Sequence, residues 1–301
     1  MIAKNLTRCL ITAALTLASA TAFGQALDPT ELPDFARGVR PAGMGEAYTA
    51  VASGTGGIYH NPAGVARTVM YSLEGLFEYT PSGSLLNAAV VDSRTNPVIA
   101  AGAAYSYFFG RGELSHLAGH DIRLAVGVPV VPERVSIGIG GRYLILRDSS
   151  GEKTVNIVQA FTLDAGVIFR VVDLVHLGVA GQNLIDPCDN AALCRGMAPT
   201  TITGGVAVGR ETSFVLSGDV GFDLTSLEDP VLNFGVGAEY LIANVVPLRV
   251  GFKHRGAVDH NYLTLGGGWR SPSAGVDLSY QHDLQRSSEV GYIAGSFSLY
   301  F

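Results

Sequence analysis

Glycine runs, paired histidines and a pair of cysteines are the clusters in this sequence whose types and spacing could support chemistry. Gly54-Thr55-Gly56-Gly57 and Gly266-Gly267-Gly268 have the glycine density of a phosphate-binding loop. Neither falls between a strand pattern and a helix pattern, and no Gly-Lys-Ser/Thr follows, so both the backbone cradle and the phosphate-reaching lysine are missing. His116 and His120 have the i,i+4 spacing of a helical metal pair, but they fall in a loop or strand start with no carboxylate between them. No Gly-x-Ser-x-Gly elbow presents a nucleophilic serine. The expectation is a protein that is not an enzyme and carries no metal and no cofactor. A formal net charge of −6 gives no basic footprint for nucleic acid. Cys188 and Cys194 lie in a Pro/Asn/Gly-rich stretch, "DPCDNAALCRG", with no adjacent histidine. In an exported chain such a pair is most simply a small disulfide loop.

The remaining polar groups of interest recur at every second position. Glu74 and Glu78 alternate with Tyr71, Leu73, Phe77 and Tyr79. Arg142 opposes Ile137, Ile139, Tyr143 and Ile145, and Asp219 opposes Leu216, Val220 and Phe222. Arg249, Lys253 and Arg255 oppose Val246, Leu248, Val250 and Phe252, while Asp277 and Asp283 oppose Val276, Leu278 and Tyr280. Asp121, Arg123, Asp164, Glu239 and Arg270 complete the polar set. Mixed signs predict a network of pairs, not a ring of one charge.

The elements that position these residues are strands, since period-two alternation is the strand signal. About fourteen runs are predicted, near 71–80, 85–92, 98–109, 119–130, 134–147, 155–170, 174–184, 200–210, 212–223, 231–242, 245–256, 260–270, 274–283 and 291–301. The second and third alternate least well. Connections alternate in length: "VPE", "VVD", "RE", "AN" and "SPS" are short, whereas "RDSSGEKT" and "IDPCDNAALCRGMAP" are long and polar. Short turns on one side and longer loops on the other are the organisation of a transmembrane antiparallel β-barrel in a bacterial outer membrane. Charged residues are only 15% of the 301, and no apolar run outside the N-terminus is long enough for a spanning helix.

The N-terminus reads as a cleaved secretory signal: Lys4 and Arg8, then the apolar "CLITAALTLASATA", then small residues. The expected organisation is a signal peptide over 1–26, a compact Gly/Ala-rich segment over 27–70 and the barrel over 71–301. At the other end, Phe297, Leu299 and Phe301 share one face of the final strand. A sheet in lipid must close on itself, so its last strand cannot fray. This ending resembles the C-terminal signal by which bacterial outer-membrane barrels are recognised, which implies the barrel-assembly machinery and outer-membrane lipid as partners.

"RGVRPAGMGEAYTAVASGTGGIYHNPAGVA", residues 37–66, resembles the N-terminal segment of the FadL/TodX transporter superfamily and of the related PorV-like barrels. The matching residues are Arg40, Gly43, Met44 and Gly45, then Asn61, Pro62, Ala63 and Gly64. The resemblance implies a hatch, or plug, inside a barrel of fourteen strands, and passage of small hydrophobic solutes past it. Asn61 before Pro62 favours a turn that pins the plug fold or lines a gated path. Hairpins such as "VIFRVVDLVHLGVAGQNL" look more like the PorV-like branch, which implies instead a partner-binding or assembly component in secretion or surface attachment. An exported soluble β-sandwich is the third reading.

Overall fold

The computed structural model describes residues 37–301 apart from 97, 186–187, 189–191 and 287–290. The export-signal reading and positions 27–36 of the N-terminal segment lie outside the described residues. Fourteen described strands form one closed antiparallel barrel in chain order. They are β1 (Tyr71–Thr80), β2 (Gly83–Asp92), β3 (Ala100–Gly110), β4 (Leu117–Val131), β5 (Val135–Asp148), β6 (Val155–Val172) and β7 (Val175–Gln182). After these come β8 (Thr201–Arg210), β9 (Phe214–Asp223), β10 (Val231–Ile242), β11 (Val246–Arg255), β12 (His260–Arg270), β13 (Ala274–Asp283) and β14 (Tyr292–Tyr300).

Closure is made by the first and last strands, with Ser72 opposite Tyr300 and Tyr79 opposite Ile293. The Phe301 amide donates to the Tyr71 carbonyl at 2.9 Å, and the two rings meet edge to face. Phe297 and Phe301 project outward and Leu299 shares their side of β14, so the chain ends as part of the wall.

The alternation has a plain physical outcome. Leu73, Phe77, Ile139, Leu265 and Leu278 are exposed on the outside, while Glu78, Arg142, Asp219, Glu239 and Arg249 are buried inside. An apolar exterior around a polar interior is the arrangement of an outer-membrane barrel, because acyl chains offer no hydrogen-bond partners. No described helix is long and apolar enough to cross a membrane. The short connections lie at the end that carries the C-terminus, the periplasmic end by this rule. At one of them, Ala243 and Asn244 both have positive φ (51° and 59°), as two-residue hairpin turns require. The β1–β2 turn is the exception on the external side: only Pro81 and Ser82 separate the strands.

The weak alternation of β2 and β3 has a structural cause. Their inward residues Leu85, Ala89, Val91, Ala104 and Phe108 are apolar because they pack on Ile58, Tyr59 and Val65 instead of facing water. Strands β4, β5 and β6 are the longest, at 15, 14 and 18 residues, and raise the external wall on one side. Helix α3 (Ala192–Met197) and the Cys188–Cys194 disulfide fold inward there, onto Leu144, Leu146, Val158 and Ala160.

Candidate functional site

The candidate site is the barrel interior, occupied by the N-terminal segment. Two short helices, α1 (Val39–Gly43) and α2 (Gly54–His60), and a 3₁₀ turn (Pro62–Ala66) lie against the inner faces of the strands. Met44, Ala47, Ala50, Ala52, Ala63 and Val65 have no exposed surface. The segment is seated on inward glycines. A Cβ at Gly138, Gly166, Gly178, Gly235, Gly237 or Gly251 would lie 2.0–2.4 Å from an atom of Pro62, Asn61, Thr49, Gly45 or Met44. Those six lie on β5, β6, β7, β10 and β11, so small residues leave the backbone of one element room to approach the other. This explains much of the chain's glycine content, 38 residues, which sequence reasoning did not connect to the segment. The signal was legible: these glycines occupy inward positions of alternating strands.

The resemblance motif supplies the fixings. Gly45 has φ +61°, its amide donates to Thr264 Oγ1 at 2.9 Å, and Thr264 Oγ1 donates to the Gly43 carbonyl at 3.1 Å. Asn61 Oδ1 accepts from the Ala63 amide at 3.1 Å and so caps the 3₁₀ turn that Pro62 begins. Its Nδ2 donates to the carbonyls of Thr49, Val167 and Val179 at 3.0–3.3 Å, tying the segment to β6 and β7. Gly64 lies within the same turn, against Ala52.

Arg40 anchors the periplasmic side. Its Nε and Nη2 donate to the two oxygens of Glu239 at 3.0 and 2.8 Å, a bidentate pair, and it also reaches Glu211 at 3.2 Å. Glu239 accepts from Arg249 Nε at 2.6 Å, and Arg249 Nη1 donates to Asp277 at 2.6 Å. Arg270 stands 3.6 Å from Glu239, and Arg67 pairs with Glu211 at 2.6 Å. Burial opposes the charge of Arg40, but Glu239, Tyr48 and Glu211 hold its guanidinium well above its ordinary range.

Higher in the barrel, Asp219 accepts from the amides of Tyr48 and Thr49 at 2.9 and 2.8 Å. Glu46 bridges Arg37 at 2.6 Å and Lys253 at 2.5 Å. Burial alone would raise the Glu46 carboxyl, but Arg37 and Lys253 outweigh it and hold it well below the usual carboxylate range. Next to it, His60 donates from Nε2 to the Arg37 carbonyl at 2.7 Å. Burial is the largest influence on this imidazole, and its pKa falls to about 4. Asp121 holds Arg123 and Arg142 at 3.1 and 3.0 Å. Arg142 also donates to Asn183 and to the Met197 carbonyl, and Asp164 accepts from the Asn183 amide at 2.7 Å, so this group fixes the long β7–β8 loop. Glu74 accepts from Ser298 at 3.2 Å; Glu78 is buried on the same strand; Arg255 lines the outer cavities. The interior thus holds a plug by hydrogen bonds and ion pairs, and no grouping of His, Cys, Asp and Glu among the described residues could hold a metal ion. His116 lies before β4 and pairs loosely with Asp148, whereas His120 projects outward against Tyr105.

No protein-family model and no curated protein matches this sequence. Solved structures do match. The toluene transporter TbuX of Ralstonia pickettii aligns with TM-score 0.58 at 13% identity, over 87% of this chain and 97% of its own. The toluene transporter TodX of Pseudomonas putida aligns with TM-score 0.58 at 12% identity, over 89% and 97%. A FadL homologue of Pseudomonas aeruginosa aligns with TM-score 0.56 at 11% identity, over 89% and 98%. The fold is that of the FadL-type outer-membrane barrels. The similar structures are described as transporters and channels, not as enzymes. The FadL-type fold places this chain in the outer membrane, as its apolar exterior requires.

Proposed function

We propose that this protein is an outer-membrane channel for small solutes in which residues 27–70 act as a hatch. The observation that carries the reading is the seating of residues 37–66 across the interior, on inward glycines and under the Arg40–Glu239 pair. A segment so placed must rearrange before a solute can cross. Binding and rearrangement, not covalent chemistry, are the mechanism. TbuX and TodX are described as toluene transporters, and the fold brings a small hydrophobic solute to this chain as the starting expectation.

The test is single-channel conductance and liposome swelling of the purified protein with and without residues 27–70. Deletion is expected to raise conductance several-fold. Absence of conductance and of solute uptake in both forms would remove the channel reading. The partner-binding alternative of the PorV-like branch finds less support. The Cys188–Cys194 loop turns inward, with both cysteines buried, instead of standing as an external platform.

A further inference from the structure

Two cavities remain above the hatch, bounded by the external ends of the strands and their loops. One has a volume of about 670 Å³ and is bordered by the β1–β2 turn, Arg111, Asp283 and Arg286. The other, about 250 Å³, is bordered by Arg123, Arg142, Asp219 and Asp223. Arg37, Glu46, Lys253 and Arg255 border both and stand between them.

The apolar inner wall does not face this space. Phe108, Leu117, Leu144, Leu146 and Val158 are buried, in one cluster with Cys188, Cys194, Met197 and Ala198 of the β7–β8 loop. The chain has covered with its own residues the surface a hydrocarbon would use. What it leaves to a solute is charged: the larger cavity is bordered by arginine or lysine and by aspartate or glutamate in equal numbers. A hydrocarbon there would strip water from charged groups and return no hydrogen bond. An ion of one sign would be drawn to half of the groups and repelled by the rest. A dipolar ion meets both signs favourably.

We infer that the outer cavities form a vestibule selective for small water-soluble zwitterions of amino-acid size, so that the solute class of this chain departs from that of the toluene transporters it resembles. The inference rests on the channel reading above for passage, though not for binding.

The experiment uses the full chain in liposomes, with swelling in L-alanine, in a singly charged anion and in a singly charged cation of similar size, and protein-dependent uptake of toluene. L-Alanine is expected to enter at least fivefold faster than either ion, with no toluene uptake above empty liposomes. Two rim variants give a signed readout. Asp259→Asn is expected to shift preference toward the anion, and Arg286→Gln toward the cation, each by about twofold for one charge lost at a solvated site. A role in folding alone would not move them in opposite directions. Toluene uptake exceeding L-alanine flux would overturn the inference and leave the channel standing. If no solute passes, the channel reading fails. Calorimetric titration of the detergent-solubilised protein then decides this one: saturable L-alanine binding supports it, and toluene binding or no binding overturns it.

Discussion

At the scale of single residues, the interior is a set of fixings with different strengths. Arg40 is the strongest, because its partner Glu239 is almost fully buried and is shared with Arg249. Removing one partner of a buried pair typically costs about 3–5 kcal/mol. Arg40→Ala is expected near the low end, since Arg249 still neutralises Glu239, and to raise open-channel probability in bilayer recordings. A variant with unchanged urea midpoint and conductance would remove Arg40 from the latch. Gly45 is a fixing of another kind. An alanine there would carry both a left-handed φ and a Cβ 2.4 Å from the Phe252 carbonyl oxygen. The conformational cost of about 1–2 kcal/mol adds to a clash of backbone on backbone. Gly45→Ala is expected to displace the segment, read as new protease cleavage within residues 37–66 in a barrel that still resists digestion.

At the scale of elements, docking of the N-terminal segment should depend on pH. His60 has a depressed folded-state pKa, about 4 against 6.5 for the free imidazole. Its neutral form is the one the docked state accepts, beside Glu46, Arg37, Arg123 and Tyr48. The corresponding stability is full above pH 6.5 and is lost as the pH falls toward 4, because the undocked state then binds more protons. Glu46, also depressed, contributes in the same direction at lower pH. Conductance of the full chain is therefore expected to rise between pH 6.5 and 4, and His60→Gln to flatten the upper part of that rise. A pH-independent conductance would contradict the linkage. The β7–β8 loop is held by its disulfide and by Arg142. Its closed loop of seven residues, Cys188 to Cys194, predicts a loss of about 2 kcal/mol when both cysteines become serine, measured as a lower heat-unfolding midpoint.

At the scale of the whole molecule, the apolar exterior makes the barrel a membrane object, and a charge placed on it should show this. Leu265 is on the outer face of β12 and more than half exposed. Leu265→Arg is expected to cost about 2–4 kcal/mol of stability in bilayers, the penalty for a cation near the midplane, measured by urea refolding into vesicles. The same replacement on a soluble sandwich would be nearly neutral, so a small effect would argue against a lipid-facing wall. The strand pattern was largely readable at this scale. The fourteen predicted runs coincide with the fourteen strands to within a few residues, and the inward set from Glu74 to Asp277 faces inward throughout. Strands β2 and β3 were the hardest to read, because Leu85 and Val91 face Ile58 and Val65 and not water.

Strand number, the face of each side chain and the loop asymmetry are local properties. They follow from a pleat that repeats every two residues and from turns a few residues long, so the amino-acid sequence alone determined them. Which inward residue meets which was decided only by closure and by the N-terminal segment lying across the lumen. Arg40 and Glu239 are separated by 199 positions and meet bidentately only because β10 curves round to the segment. Nothing periodic connects them. The inward glycines likewise acquire meaning only when a second backbone is laid upon them, since a missing side chain records the space it leaves and not what fills that space.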